Sequence, residues 1–321
     1  MSSEAIQDGL EVIIVNWNTS QLLHDCLTSL FRYLPAQLPP NFILHVTVVD
    51  NASSDASVAM VGAEFPQVQV KQNSANLGFA AANNIALASG HTSFFLLLNS
   101  DTLVLENSLS LLLEFMQQHP DAGVCGPRLL NKDNTLQTYC WKFPYPLLDF
   151  LNFLELYRYP YLYNSLLPGC LLQIRSLEPI SVDFLSGACL LVRHQAYEQV
   201  GGLDSAYFFY NEESDWCYRF RQAGWKIWFV PRAELIHLGG QSSQRVLYSR
   251  IIWFHEGYLR FYRKFYSRQA LVGHRLAVWA ATLPKLLILL LLIVFFETQK
   301  RSHRRQLLKA YWEVLWLSPK P

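Results

Sequence analysis

Asp101 closes an apolar run at residues 94–98, inside the triplet Asn99-Ser100-Asp101. A carboxylate at such a strand end can hold a divalent cation, which neutralises charge developing on a phosphate leaving group without any proton transfer. Asp50 ends a second apolar run at residues 45–49, where its carboxylate can accept a base N–H or a ribose hydroxyl. The same residue types also make ordinary helix caps and turns, so neither acid identifies the chemistry alone. Asn76-Leu77-Gly78-Phe79 sets an amide and a flexible glycine ahead of a helix start, a geometry suited to the approach of a phosphate. Glu212, Glu213 and Asp215 crowd together behind four aromatics at residues 207–210. Like charges and apolar walls raise carboxylate pKa values, and a raised carboxylate can serve as general base toward a hydroxyl. The plain alternative is a solvated helix start, where acids are favoured anyway. His237 follows an apolar strand and precedes Gly239-Gly240. It is a possible metal ligand, although a lone histidine of this kind is more often structural.

These groups need elements that bring them together. Residues 11–16 read as a buried strand, followed by a polar turn and a helix capped by Thr19 or Ser20, with Leu22, Leu23, Cys26, Leu27, Leu30 and Phe31 on one stripe. Pro35, Pro39 and Pro40 end that helix. Strands are expected at residues 45–49, 68–70 and 94–98, with a turn at 51–55 and a helix at 79–88. Further on, residues 182–185 and 188–192 read as strands, and a helix continues to Ala223 before Gly224 breaks it. Short apolar strands alternating with amphipathic helices predict an α/β fold, a mainly parallel, Rossmann-like sheet with helices on both faces. Ligands then bind at the carboxyl ends of the strands. Asn16-Trp17-Asn18, Asp50-Asn51 and Asn99-Ser100-Asp101 fall at those ends. Residues 139–163 are crowded with Trp, Phe, Tyr, Leu and Pro and show no clean period.

The chain has 321 residues, 51% hydrophobic and only 16% charged against a usual ~25%, with 14% aromatic and a net charge of +1. It is long enough for one large α/β domain plus an appendage, is not disordered, and exerts no global pull on nucleic acid. The six cysteines, Cys26, Cys125, Cys140, Cys170, Cys189 and Cys217, form no CxxC pair and read as buried thiols of a reducing compartment. The first ten residues carry Glu4 and Asp8 and no apolar run; no secretory signal is read, and a cytosolic catalytic part is expected. Residues 286–296 are uninterrupted apolar, which as a helix covers about 16 Å, half a bilayer core. Extension back to 276 gives bilayer length but places Pro284 and Lys285 mid-segment. Lys300, Arg301, Arg304 and Arg305 follow, and a single span would carry them to the wrong side. An in-plane or re-entrant anchor is expected, with a buried core helix as the alternative.

Taken together, Val12-Ile13-Ile14-Val15-Asn16-Trp17-Asn18, Val48-Val49-Asp50-Asn51-Ala52-Ser53-Ser54-Asp55, Asn76-Leu77-Gly78-Phe79-Ala80 and Leu98-Asn99-Ser100-Asp101 resemble the donor half of family-2 glycosyltransferases, in their bacterial rhamnosyltransferase-like branch. Gly187-Ala188, Gly201-Gly202-Leu203-Asp204, the run from Phe208 through Glu213 to Trp216, and His237-Leu238-Gly239-Gly240 resemble its acceptor half. The resemblance runs over residues 11–245. It implies a GT-A fold over residues 1–245 (donor half 1–130, acceptor half 131–245) and a helical, membrane-associating region over 246–321. It implies inverting transfer of rhamnose or a similar hexose from a nucleotide diphosphate sugar to a glycan or lipid-linked acceptor in cell-surface polysaccharide synthesis, with Mg²⁺ or Mn²⁺, on the cytosolic face of the inner membrane. Asp101, with Asn99 in place of the first acid of an Asp-x-Asp motif, would hold the metal, and His237 would complete it. The expected nucleotide-sugar set is Asn16, Asn18, Asp50, Asn76, Gly78, Asn84 and Asn99. Glu213 stands where the family has the Asp of a Glu-Asp pair, its base; with Glu-Glu here, Glu212 and Glu213 compete, and Asp215 completes the catalytic cluster.

Rival readings are weaker. A processive polysaccharide synthase would carry Gln-x-x-Arg-Trp and several spans. A non-catalytic nucleotide-sugar or membrane-binding module has no use for acids at Asp101, Glu213 and Asp215. A NAD(P) oxidoreductase would show G-x-G-x-x-G after the first strand.

Overall fold

In the computed structural model, residues 6–137, 142–166, 177–239, 246–295 and 301–318 are described. They fall into two units. The first comprises described residues up to 142 together with 177–208 and 212–239; the second comprises 143–166, 209–211 and the described residues from 246 onward. The second unit takes in the described residues from 246 onward, next to the boundary expected at 245, and also the aromatic-rich segment after 142.

The first unit is built on β1 (Gln7–Asn16), β2 (Ile43–Asp50), β3 (Gln69–Gln72), β4 (Thr92–Asn99), β5 (Thr102–Val104), β6 (Ala122–Leu130), β7 (Ile180–Val182), β8 (Cys189–Arg193) and β9 (Lys226–His237). Its helices are α1 (Ser20–Tyr33), α2 (Ser57–Glu64), α3 (Phe79–Leu87), α4 (Ser108–Gln118), α7 (His194–Val200) and α8 (Glu212–Gln222). The strands form a nine-stranded sheet in the order β3-β2-β1-β4-β8-β6-β9-β5, with β7 on β9. Val12, Ile13 and Ile14 are wholly buried, as a central strand covered on both faces requires.

Half of the sheet departs from the parallel expectation. β3, β2, β1 and β4 are parallel, as are β6 and β9. β8 enters antiparallel between β4 and β6, and β5 and β7 pair antiparallel with β9. Strand order reverses at β1, since β2 and β4 lie on its opposite sides. A crevice opens beyond the carboxyl ends at such a switch point. The strand expected at 182–185 forms only at Ile180–Val182.

The second unit is helical: α5 (Pro146–Phe153), α6 (Pro160–Leu166), α9 (Leu247–Phe265), α10 (Arg268–Phe295) and α11 (Arg301–Trp316), with a 3-10 turn at Leu156–Arg158. Phe153, Ile252, Leu259, Val278, Ala281 and Val314 share its core. Within it Asp149 accepts hydrogen bonds from the Tyr262 hydroxyl at 2.6 Å and His274 Nδ1 at 2.7 Å, all three fully buried or nearly so. Burial raises the Asp149 carboxyl, an effect that His274 and Tyr262 oppose. The 28-residue α10 is long and apolar enough to cross a membrane, and 28% of its most apolar window is buried. Cys26, Cys125, Cys189 and Cys217 are free and buried, and burial pushes the Cys26 and Cys217 thiols up to about 12. Cys140, Cys170, Trp141, Gly240 and Lys300 lie outside the described residues.

Candidate active site

Asn16 and Asp50 end adjacent parallel strands in matched register. The Asn16 amide donates to Asp50 Oδ1 at 3.0 Å and to Ser53 Oγ at 3.1 Å. Its carbonyl accepts from the Thr19 hydroxyl at 2.6 Å, and Thr19 lies 3.1 Å from the Ser100 hydroxyl. A continuous hydrogen-bonded line thus runs from Asp50 to the Asn99-Ser100-Asp101 turn. The second Asp50 oxygen accepts the Ser53 N–H at 2.9 Å. Asn18 lies with φ at 54° and accepts from the Ser54 N–H and hydroxyl, fastening the two loops.

The 76–79 loop joins this edge. Asn51 donates to the Gly78 carbonyl at 3.1 Å, and the Gly78 N–H donates to Asn76 Oδ1 at 3.0 Å. Gly78 has φ at +83°, and a Cβ there would stand 2.3 Å from the Phe208 carbonyl oxygen. That oxygen accepts the Phe79 N–H at 2.8 Å, so only glycine permits this approach.

Asp101 and His237 meet because β5 pairs antiparallel with the end of β9, Thr102 opposite His237. His237 Nε2 lies 3.3 Å from Asp101 Oδ1. The other ring nitrogen faces Gln137 Oε1 at 2.9 Å. Gln137 Nε2 donates to the His237 carbonyl and to Asn131 Oδ1, which fixes the amide orientation. Nδ1 must then carry the proton, and in the neutral ring Nε2 turns its lone pair toward a carboxylate oxygen. Two acceptors about 3 Å apart match neighbouring ligands of a cation bound at roughly 2.1 Å. The pair therefore fits a divalent metal, with remaining positions left for phosphate oxygens and water. Among the described residues no group of three or more His, Cys, Asp or Glu could hold a metal by itself. Gln137 escaped the sequence reading, because nothing local links it to a histidine 100 residues away.

Glu212 and Glu213 open α8, directly after Tyr210 and Asn211, both with positive φ. A Cβ on Gly187 would lie 3.8 Å from Glu213 Cβ and 3.7 Å from the Phe79 ring, so Glu213 converges with the 76–79 loop. The Ala188 carbonyl accepts the Asn99 N–H at 2.9 Å, tying the same turn to the Asn99-Ser100-Asp101 loop. Glu212 is buried. Burial, then Glu213 beside it, pushes its carboxyl well above the usual range.

Two expected site residues have other work. Asp215 is wholly buried and accepts from Arg219 Nε at 2.6 Å, while the same guanidinium donates to the carbonyls of Val200 and Gly202. It anchors the 200–202 turn and has no open face toward a hydroxyl. Asn84 donates to the Leu203 carbonyl at 2.7 Å and Ser205 Oγ at 3.1 Å and accepts the Leu203 N–H at 2.9 Å. Its amide clamps that turn to α3.

The comparisons with known proteins bear on family and fold. The glycosyl transferase family 2 model matches residues 11–201. The chain is similar to the N-acetylglucosaminyl-diphospho-decaprenol L-rhamnosyltransferase of Mycobacterium tuberculosis, 28% identical over 313 residues, 94% of this chain and 97% of that protein. Its fold is similar to that of the mannosyltransferase PcManGT from Pyrobaculum calidifontis, solved with GDP-Man and Mn²⁺, at a TM-score of 0.56 and 14% identity, covering 96% of this chain and 85% of that one. It is also similar to GalNAc-T7, solved with UDP, GalNAc and Mn²⁺, at a TM-score of 0.53 and 15% identity over 71% of this chain, where it spans only 43% of that protein. The chain is a GT-A-type glycosyltransferase, and it belongs to glycosyl transferase family 2.

Proposed function

We propose that this chain transfers a hexose, rhamnose foremost, with inversion and in a metal-dependent reaction, from a nucleotide diphosphate sugar to a lipid-linked glycan acceptor at the cytosolic face of a membrane. The observation that carries the reading is the Asp101–His237 pair, with Gln137 holding the ring so that Nε2 faces the carboxylate. Asp101 and His237 would hold Mg²⁺ or Mn²⁺, which when bound neutralises charge on the departing diphosphate. Asp50, set by Asn16 and Ser53, is placed to accept from base or ribose. Asn76 and Gly78 shape the loop before α3, and Asn99 carries the turn that presents Asp101.

Glu213 takes the proton of the acceptor hydroxyl, which attacks the anomeric carbon from the face opposite the leaving group. Burial and the neighbouring Glu213 raise the Glu212 carboxyl, which disfavours a second negative charge beside that step. The mycobacterial relative's name supports a rhamnosyl donor, with dTDP-rhamnose tested first and UDP-sugars next, and a polyprenyl-diphosphate-linked N-acetylglucosamine acceptor. A panel of nucleotide sugars, assayed for nucleoside diphosphate release with and without Mn²⁺, tests the proposal. Metal-dependent release that collapses in Asp101→Ala and Glu213→Gln supports it. Wild-type turnover in both variants overturns the site.

A further inference from the structure

Leu276, Trp279, Leu283, Leu287, Leu290 and Val294 are all exposed on α10. Their spacing of three and four residues puts them on one side of the helix, a stripe about 27 Å long. The opposite side is occupied: His274, Ala277, Val278, Ala281, Thr282 and Leu286 are buried within the second unit. As far as Leu286 the helix is therefore packed on one side and bare and apolar on the other, and beyond it Ile288, Leu291 and Phe295 add exposed apolar surface next to the stripe. An exposed apolar strip of this length marks an interaction surface.

Two further observations say what covers it. The first is that the chain comes back. α11 packs along α10, the Trp279 indole N–H donates to the Leu315 carbonyl at 3.1 Å, and Arg275 donates to the Leu317 carbonyl. The end of α11 thus lies beside the first turns of α10, and the pair is a hairpin with both outer ends at one side. Arg301, Arg304 and Arg305 open α11 at the other end of the pair, where Arg304 donates to the Leu292 carbonyl at 2.9 Å, so only a hairpin lying along the surface keeps these cations on the same side as its outer ends.

The second is the border of the stripe. Trp316 packs on Trp279 with ring centroids 6.0 Å apart and on Trp312 at 6.1 Å, and Trp312 and Trp316 are themselves exposed. Arg301 and Arg305 are exposed on α11. Across α10 and α11 there are seven Lys and Arg against one acid, Glu313. Indoles beside an apolar strip, with cations on the flank, match the boundary between acyl chains and anionic headgroups. A second copy of the same surface would bring like charges together.

We propose that the α10–α11 hairpin lies in the plane of an anionic bilayer, its apolar stripe among the acyl chains of one leaflet, without crossing it. This deepens the lipid-linked reading above and rests on it for the biological setting. The test uses the full chain and vesicles of phosphatidylethanolamine with phosphatidylglycerol, against vesicles of phosphatidylcholine alone. Wild type is expected to sediment with the anionic vesicles, and high salt should weaken that binding without abolishing it.

Leu287→Glu combined with Leu290→Glu should abolish sedimentation. Arg301→Gln with Arg305→Gln should weaken it roughly 10- to 30-fold. Both pairs change exposed residues and should leave turnover on a water-soluble acceptor unchanged, which also reports that they fold. Thiols placed at Ser267, ahead of α10, and at Ser302, at the far end of the hairpin, should both label from the cytosolic side. Labelling of one from the far side shows a span and overturns the proposal. So does unaltered sedimentation of both variants, absence of wild-type binding, or a dimer in solution that Leu287→Glu dissociates. If wild type binds vesicles but turns over no nucleotide sugar, the transferase reading fails and the membrane surface stands.

Discussion

Gln137 Oε1 lies 2.9 Å from His237 Nδ1, and that contact decides which face of the imidazole is offered to Asp101. A ring free to rotate or to change tautomer would present Nε2 to a cation only part of the time. Gln137→Ala should therefore weaken the apparent Mn²⁺ affinity by about 10- to 100-fold, with kcat at saturating metal close to wild type. Metal titration of turnover measures both. An unchanged metal requirement would show that Gln137 serves only the 130–137 turn.

Glu212 and Glu213 separate by pH. Glu213→Gln should lower kcat roughly 10²- to 10⁴-fold, as loss of a general base does. Glu212→Gln should retain far more activity and change stability instead. The Glu212 carboxyl is raised in the folded chain, so its favourable contribution is complete below the unfolded value of 4.5 and is lost as pH rises through the folded value. Wild type should thus lose thermal stability relative to Glu212→Gln as pH rises above 4.5, and the two should converge in acid. Melting curves across that range check the sign; a gap that widens in acid contradicts it.

Asn84 tests the distinction between binding a nucleotide and bracing a loop. Asn84→Ala removes its bonds to Leu203 and Ser205 and should cost about 1–3 kcal/mol. The 200–205 turn is also held by Arg219 and Trp216 of α8, the helix that opens with Glu212 and Glu213. The expected kinetic signature is a lower kcat with an unchanged donor KM. A raised donor KM alone would restore the nucleotide-contact reading.

Gly78→Ala adds a methyl in a left-handed conformation against the Phe208 carbonyl. Strain of about 1–3 kcal/mol is expected, or a displaced 76–79 loop with a raised donor KM. Thermal melts and donor titrations distinguish the two, and a variant identical to wild type in both would show that the approach is not maintained in solution.

The strand ends were legible because an apolar run stopping at a polar residue has one simple meaning in an α/β chain. Asn16, Asp50 and Asn99 were placed on that basis and do sit at neighbouring strand ends. The antiparallel entry of β8 was not legible, since a five-residue apolar strand reads the same in either direction. The 139–163 stretch shows no clean period because from Pro146 on the chain forms two short helices, Pro146–Phe153 and Pro160–Leu166, joined by a 3-10 turn. Asp215 looked catalytic from its neighbours, and only Arg219 one helical turn on, held against the 200–202 carbonyls, explains its burial. Gln137 and Asn84 act across about a hundred residues of chain, where local pattern carries no signal.

The central claim is that Asp101 and His237 hold the cation that meets the diphosphate. Binding of Mn²⁺ in the presence of a nucleoside diphosphate, followed by electron paramagnetic resonance, tests it without reference to turnover. Asp101→Asn should weaken Mn²⁺ binding at least roughly tenfold, as loss of a charged ligand does, while Glu213→Gln binds as wild type. Equal Mn²⁺ binding by wild type and Asp101→Asn would contradict the account.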